Sequence, residues 1–519
     1  MKLNIVDTSY LKIFIFGLFL RIFYLINKVG DITKLNLGGD PCHHYNIALN
    51  ISNFIGPKTN FIFSYWHQHE RLPALTDVYL PGFHFFSAIF LFFFESALTT
   101  RFINILVYVI NFLLIILISN RINEKKIGYL VCLFISLNFF HIENSVVFMT
   151  VNFSCLLVTL FFYLILLSKT NYKFNFWIGL LISYCSITFG GWQIILIISI
   201  IGIFLYSSNI FKSFICLIFG FLPIYIIWYY YSKDYFGIPF YSNLSFYPFV
   251  EDWASMMHSN LKPDILFFIE NIQLSDYILL HLKWGSINLI KFSFILFPSF
   301  IFIFGFLTVP SILYSSIKLN SFGIMMLIFI IGYLGGMFFA SYGMKGILWP
   351  RHYMILLFPV SFLIAYFFLN FFNSISFYFY RYFDISLFFS SLLILFMIAA
   401  KSSFWSNNTK PFYQLGEYIK KNDIDNILYG LTVQDLWCSS KKNIIMDPVF
   451  QLSFDANRAI EEINNYNAEY LLIDLSNHIY HRSNNDIEEV MNYYYSEELN
   501  FNLIYKDELN QYYLYEILK

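Results

Sequence analysis

Charge is what this sequence has least of. Only 13% of its 519 residues are Asp, Glu, Lys or Arg, against 58% hydrophobic and 22% aromatic, and the mean hydropathy is +0.60. An ordinary soluble domain carries about 25% charged residues, so this composition excludes one and predicts a chain that crosses a membrane many times. Cysteine is also scarce. Of six, Cys132, Cys155, Cys185 and Cys216 lie in apolar runs as small hydrophobes, and only Cys42 and Cys438 have polar surroundings. Neither a disulfide framework nor a CxxC metal site is expected. P-loops, coiled-coil heptads and internal repeats are absent too, and a net charge of −1 gives no reason to expect a nucleic-acid partner.

The long apolar runs come next. Segments of bilayer-spanning length fall near 11–28, 102–120, 127–142, 147–168, 174–190, 192–208, 213–231, 289–309, 320–340, 352–372 and 384–400. They predict an α-helical polytopic membrane protein with about 11 transmembrane helices. The first carries Arg21 and lacks a small-x-small cleavage site, so it reads as a retained span and not as a signal peptide. A further run, 80–95, opens at Pro81 and contains His84 and Glu95. If it lies flat in the interface, Arg121, Lys125, Lys126, Lys169, Lys173, Lys212, Lys318 and Arg381 all fall on the N-terminal side, as the positive-inside rule requires. If it spans, that order is scrambled. The flat arrangement is therefore expected. It puts the connections 29–101 and 232–288 and the C-terminal tail on the external face of a cytoplasmic (plasma) membrane, with all 11 histidines outside or at the outer boundary.

Charge balance also divides the chain. Residues 402–519 hold 18 of the 33 acidic residues but 9 of the 32 basic ones, which predicts a transmembrane domain, 1–401, followed by an external soluble domain, 402–519. Within the latter, an amphipathic helix at 413–421, buried strands at 427–431 and 470–474, a helix at 456–466 and a hairpin from 501–505 and 512–517 suggest a small α/β fold.

Chemistry gathers in the loops. Gly38-Gly39-Asp40-Pro41 places a lone carboxylate on a glycine turn where the chain leaves the membrane, and Tyr45, Ala48 and Ile51 continue at helical spacing. The same four residues would serve equally to break the chain and cap a helix. His43 and His44 stand beside Asp40, and a second cluster runs from Tyr65 to Arg71 with His67, His69 and Glu70. Such sets can take a divalent metal, with Asp40, His44 and Glu143 as candidate ligands for Mg or Mn, though the spacing argues against a closed zinc site and a metal-free reaction fits equally. Glu143 lies in a short loop between spans, where an ionisable group is a functional candidate or else the partner of Arg21 or Arg101. Lys345, Arg351 and His352 concentrate positive charge at the start of a span, which suits a lipid-linked phosphate.

The order of these pieces resembles the GT-C glycosyltransferases, close to the family of protein O-mannosyltransferases and lipid A aminoarabinose transferases. The resemblance covers nearly the whole chain. It rests on Arg21, on Gly39-Asp40 with Tyr45 and Ala48, on Tyr79-Leu80-Pro81 followed by Arg101, on Tyr235 to Phe240, and on Pro350-Arg351-His352-Tyr353. It implies that Asp40 activates an acceptor, that Glu143 assists, and that Arg351 with Lys345 holds the phosphate of a polyprenyl-phosphate sugar donor, with Tyr45, His43, His44 and His352 as further substrate contacts. Two departures stand out: Pro41 follows Asp40 in place of the family's Glu, and Glu143 stands where an Arg and a later Asp are common. Asp-Pro also resembles the oligosaccharyltransferase catalytic subunit, but that relative's W-W-D-Y-G motif is missing, its nearest counterpart being Asp435-Leu436-Trp437. The implied function is external sugar transfer from a lipid phosphate to a protein, lipid or glycan acceptor. Oligosaccharyl transfer to asparagine is the enzymatic alternative and a lipid flippase or solute transporter the non-enzymatic one.

Overall fold

A computed structural model describes residues 8–28, 39–61, 72–76, 79–237, 239, 275, 278–280, 282–287, 302–340, 350–371, 409–429, 433–446, 463–465, 467–475, 491, 499–507 and 512–518. The chain begins with α1 (Thr8–Lys28), α2 (Asp40–Ser52), a two-stranded ribbon of β1 (Lys58–Thr59) and β2 (Ala74–Leu75), and α3 (Gly82–Phe93). There follow α4 (Ala97–Arg121), α5 (Lys125–Leu137), α6 (Phe139–Asn144), α7 (Val151–Ser168), α8 (Phe174–Ser186), α9 (Trp192–Tyr206) and α10 (Ile210–Phe236). Beyond them lie α11 (Phe302–Lys318), α12 (Asn320–Ala340), and a 3-10 turn (Pro350–Leu356) leading into α13 (Leu357–Phe371).

Six described helices are long and apolar enough to span a membrane: Thr8–Asn27, Ala97–Arg121, Val151–Ser168, Ile210–Phe236, Ser321–Phe338 and His352–Asn370. The other expected spans are shorter or fall outside the described residues. The run 127–142 breaks at Asn138, whose side chain turns away from α5 and accepts the His141 N–H at 2.9 Å to start α6. Helices α8 and α9 reach only 13 and 15 residues, short of the about 20 a full span needs. Most of 289–309 and all of 384–400 lie outside the described residues. At 12 residues, α3 is about 18 Å long, well short of a bilayer core about 30 Å thick.

The bundle has two chemically distinct ends. At one, Arg121 donates to Thr170 Oγ1 at 2.7 Å, Lys169 lies over the Tyr206 ring and Ser321 donates to the Tyr206 hydroxyl. At the other, the Gly82 N–H donates to the Ile187 carbonyl and Arg101 reaches the Val146 carbonyl. Arg101 and Arg121 sit 20 residues apart on α4, about 30 Å along the axis. Inside the bundle α8 and α10 touch backbone to backbone. Gly179 and Gly220 permit this, since a Cβ on either would collide with the carbonyl of Leu217 or Phe176.

The C-terminal part carries α14 (Thr409–Lys421), β3 (Ile427–Tyr429), α15 (Val433–Ser440), β4 (Ile444–Met446), β5 (Tyr470–Asp474), β6 (Asn500–Lys506) and β7 (Tyr512–Leu518). They form one sheet in the order β4-β3-β5-β7-β6, with β3 parallel to β4 and β5 and the terminal hairpin antiparallel. Leu415, Ile419, Ile427, Leu428, Leu471, Leu472 and Leu514 are buried, and α14 packs on the sheet through Phe412 against Tyr429 and Tyr512 and through Tyr418 against Tyr505. Helix α15 and strand β4 were not expected from the sequence. Of the expected helix 456–466, residues 463–465 are described and are helical.

Candidate active site

The site is built around the first turn of α2. Gly39 takes a φ of +79°, where a side chain would strain the backbone, and Asp40 with Pro41 opens the helix. Asp40 is half-buried. Its Oδ1 accepts the Tyr79 hydroxyl at 2.5 Å, so its rotamer is set by a residue 39 positions away. The Tyr79 ring in turn lies edge-on to His43 and 4.3 Å from the His44 ring, centroid to centroid. His44 Nδ1 and His84 Nε2, on α3, are 2.8 Å apart, so one ring donates and the other accepts. Burial pushes the His43 and His84 imidazoles well below their usual range, and a neighbouring histidine adds to this in each case. They pack as neutral rings.

Tyr45, one turn further along, is buried against Phe148 and Trp437. That contact joins α2 to the segment following Glu143. Glu143 itself is held by the Tyr24 hydroxyl of α1, which donates to Oε1 at 3.2 Å. Of the two arginines that stood as alternative partners for Glu143, Arg21 is turned elsewhere. Arg21 is fully buried and donates to the Gly17 and Ser136 carbonyls, Ser145 Oγ and His141 Nδ1, with its guanidinium 3.6 Å from the centre of the Tyr108 ring. Helix α6, which carries Glu143, packs on the 3-10 turn of Arg351 and His352, more than 200 residues away in the chain. There the Tyr333 hydroxyl donates to the His352 carbonyl at 2.9 Å. Lys345 and the Arg351 side chain lie outside the described residues.

One expectation is corrected. Cys42 and Cys438 form a disulfide across 396 residues of sequence. Spacing alone cannot reveal such a pair, because each cysteine stands by itself in its own segment and the fold supplies the proximity. Tyr79, His84, Asp435, Trp437 and Lys441 are further neighbours of α2 that reasoning from the sequence did not place at the site. The one available signal was that Cys42 and Cys438 were the only two cysteines outside apolar runs.

No protein-family model matches the chain, and no curated protein matches it by sequence. Solved structures do. An oligosaccharyltransferase from Archaeoglobus fulgidus, in complex with Zn and sulfate, superposes with a TM-score of 0.61 at 13% identity, over 97% of this chain and 72% of that one. ArnT from Cupriavidus metallidurans bound to undecaprenyl phosphate superposes with a TM-score of 0.56 at 9% identity, over 98% of both chains. The fold is the GT-C fold. A second A. fulgidus structure, of the oligosaccharyltransferase AglB with an inhibitory peptide and a dolichol-phosphate, gives 0.58 at 14% identity over 98% of this chain and 74% of that one. At such identities the likeness establishes how the GT-C helices and the C-terminal sheet are arranged, not what the residues do.

The donor set for a metal does not come together. Among the described residues no three His, Cys, Asp or Glu side chains gather as ligands. Instead, His44 Nδ1 is turned to His84 and Glu143 to Tyr24. Asp40, His44 and Glu143 therefore do not fit a shared ion.

Proposed function

We propose that this protein is an integral membrane glycosyltransferase that moves a sugar from a polyprenyl-phosphate donor to a hydroxyl-bearing acceptor at the external face of the plasma membrane. The observation that carries the reading is Asp40, set on the first turn of α2 and fixed by Tyr79, in a chain of the GT-C fold. ArnT, solved with undecaprenyl phosphate, spans 98% of both chains, which favours a lipid phosphate as the leaving group. External orientation is favoured by the gathering of Arg121, Lys169 and Lys173 at the bundle end opposite Asp40, and by a disulfide, which needs an oxidising compartment.

In this reading the acceptor oxygen attacks the anomeric carbon, its proton passes to the Asp40 carboxylate, and the bond from that carbon to the phosphate oxygen breaks with the electron pair leaving on phosphate. Arg351 and Lys345 receive that charge, and Glu143, on the helix packed against the Arg351 turn, orients the acceptor. Residues 402–519 form an external domain that walls the acceptor side. Transfer of a lipid-linked glycan to asparagine is the second reading, favoured by the 0.61 superposition on the A. fulgidus oligosaccharyltransferase. Mass spectrometry of lipid co-purifying with the protein, followed by transfer assays from polyprenyl-phosphate sugars to hydroxyl and sequon-peptide acceptors, separates the two. A preparation that carries no polyprenyl phosphate and moves no sugar from such a donor sinks both.

A further inference from the structure

Helix α15 runs alongside α2 in a fixed register, and three contacts one helical turn apart hold the two together. Gly39 N–H donates to Asp435 Oδ1 at 2.8 Å, Cys42 is bonded to Cys438, and the Lys441 ammonium lies 4.8 Å from the centre of the Tyr45 ring and 4.0 Å from that of Trp437. The numbers advance by three on both sides: 39, 42, 45 against 435, 438, 441. Asp435 and Cys438, three apart, share a face of α15, and Lys441, just past its end at a φ of +61°, prolongs the same seam of contacts. A second seam flanks it. The Asn46 amide and the Asn60 side chain bond each other, Asn60 reaches Asn443, and the Ile444 N–H donates to the Asn60 carbonyl, so that Phe61 pairs with the first residue of β4.

The seam ends at the residue that matters most. Gly39 is the hinge whose positive φ sets the direction of Asp40, and its N–H is one of the orphan donors of a helix start. Its acceptor comes from the far end of the chain. We infer that Asp435 and the Cys42–Cys438 disulfide are positioning residues for the Asp40 carboxylate, so that the C-terminal α/β layer is a fixed wall of the active site and transfer requires the oxidised form of the clasp. This rests on the functional reading above, since it assigns Asp435 a role through Asp40. A layer that swings to deliver acceptor is incompatible with a covalent bond one turn from the base.

The first readout is independent of activity. Thiols blocked under denaturing conditions without reductant leave the 42 and 438 peptides linked, and the Gly39 amide exchanges slowly with solvent deuterium; Asp435→Ala speeds that exchange while Asp435→Asn, which keeps an acceptor oxygen, does not. Free thiols at both positions in the unreduced protein overturn the clasp. The second readout is kinetic. Asp435→Ala lowers kcat by about tenfold or more, the scale of a misplaced catalytic group, with the KM for polyprenyl-phosphate sugar unchanged, and Asp435→Asn restores it. A dithiol delivers two electrons and two protons to the disulfide, leaving two cysteine thiols and the cyclic disulfide of the reagent, and kcat falls. Oxidation with diamide restores the wild type, whereas the double variant Cys42→Ser, Cys438→Ser starts low and ignores both reagents. Equal kcat in all these variants overturns the positioning role. If Asp40→Asn transfers sugar like the wild type, the functional reading fails instead, and the exchange result still judges the clasp.

Discussion

Two polar clusters in this molecule look alike in composition and differ in construction. One surrounds Arg21 inside the bundle, and the other surrounds Asp40 at its rim. Arg21 is fully buried and is satisfied by neutral partners: two carbonyls, a serine, a histidine acceptor and the face of Tyr108. Every bond points inward to α1, α5 and the α6 turn, so the cluster ties helices together. Asp40 is only half-buried, and its neighbourhood is assembled from α2, the Tyr79 segment, α3 and the distant α15. Under the proposed function, the contrast separates a structural charge, enclosed by its own bundle, from a working one, held in place from several elements while keeping a face open.

That contrast can be broken most forcefully at the rim. Asp40→Asn keeps the shape and the Tyr79 contact, so turnover drops by about 10²- to 10⁴-fold, the range for a general base, while detergent melting stays within a degree or two of the wild type. Arg21→Ala is its mirror image. It leaves buried carbonyls and His141 without a donor, so stability falls by about 3 kcal/mol, read as a lowered melting temperature, with kcat intact in the fraction that folds. A variant at Arg21 that folded normally and lost turnover would erase the distinction.

Smaller effects sharpen it. Tyr79→Phe removes one hydrogen bond to the Asp40 carboxylate, and about tenfold in kcat is expected from freeing the base to other rotamers, with no change in donor affinity. The histidines beside it give a pH signature. His43 and His84 titrate far below their usual value in the folded protein, so the unfolded chain binds more protons as pH falls beneath about 6.5. Stability is therefore complete above that pH and declines on acidification, by at most about 1.4 kcal/mol per pH unit for each group. Melting curves from pH 7.5 to 5 should show the decline, and His84→Asn should flatten it.

Much of the architecture could be read from the sequence where one physical rule dominated. Tyr470–Asp474 appears with the expected bounds because a short apolar run buried in a sheet centre leaves little choice, and the terminal hairpin appears for the same reason. The run 127–142 misled because Asn138 looks like one polar residue in an apolar span, yet its side chain caps a new helix. Asp40 was legible from its glycine turn. Its supports were not: Tyr79 bonds it from 39 residues on, while Asp435 and Cys438 each cross 396 residues to reach Gly39 and Cys42 beside it, and no local pattern encodes a partner that only tertiary structure brings near.

The central claim is that Asp40 does chemistry and Arg21 does not. It is tested most directly by single-turnover release of polyprenyl phosphate from a bound polyprenyl-phosphate sugar, measured on folded wild type, Asp40→Asn and Arg21→Ala at saturating acceptor. The account predicts release in the wild type and in Arg21→Ala at similar rates, and donor bound but not cleaved in Asp40→Asn. Release by Asp40→Asn at the wild-type rate would contradict it.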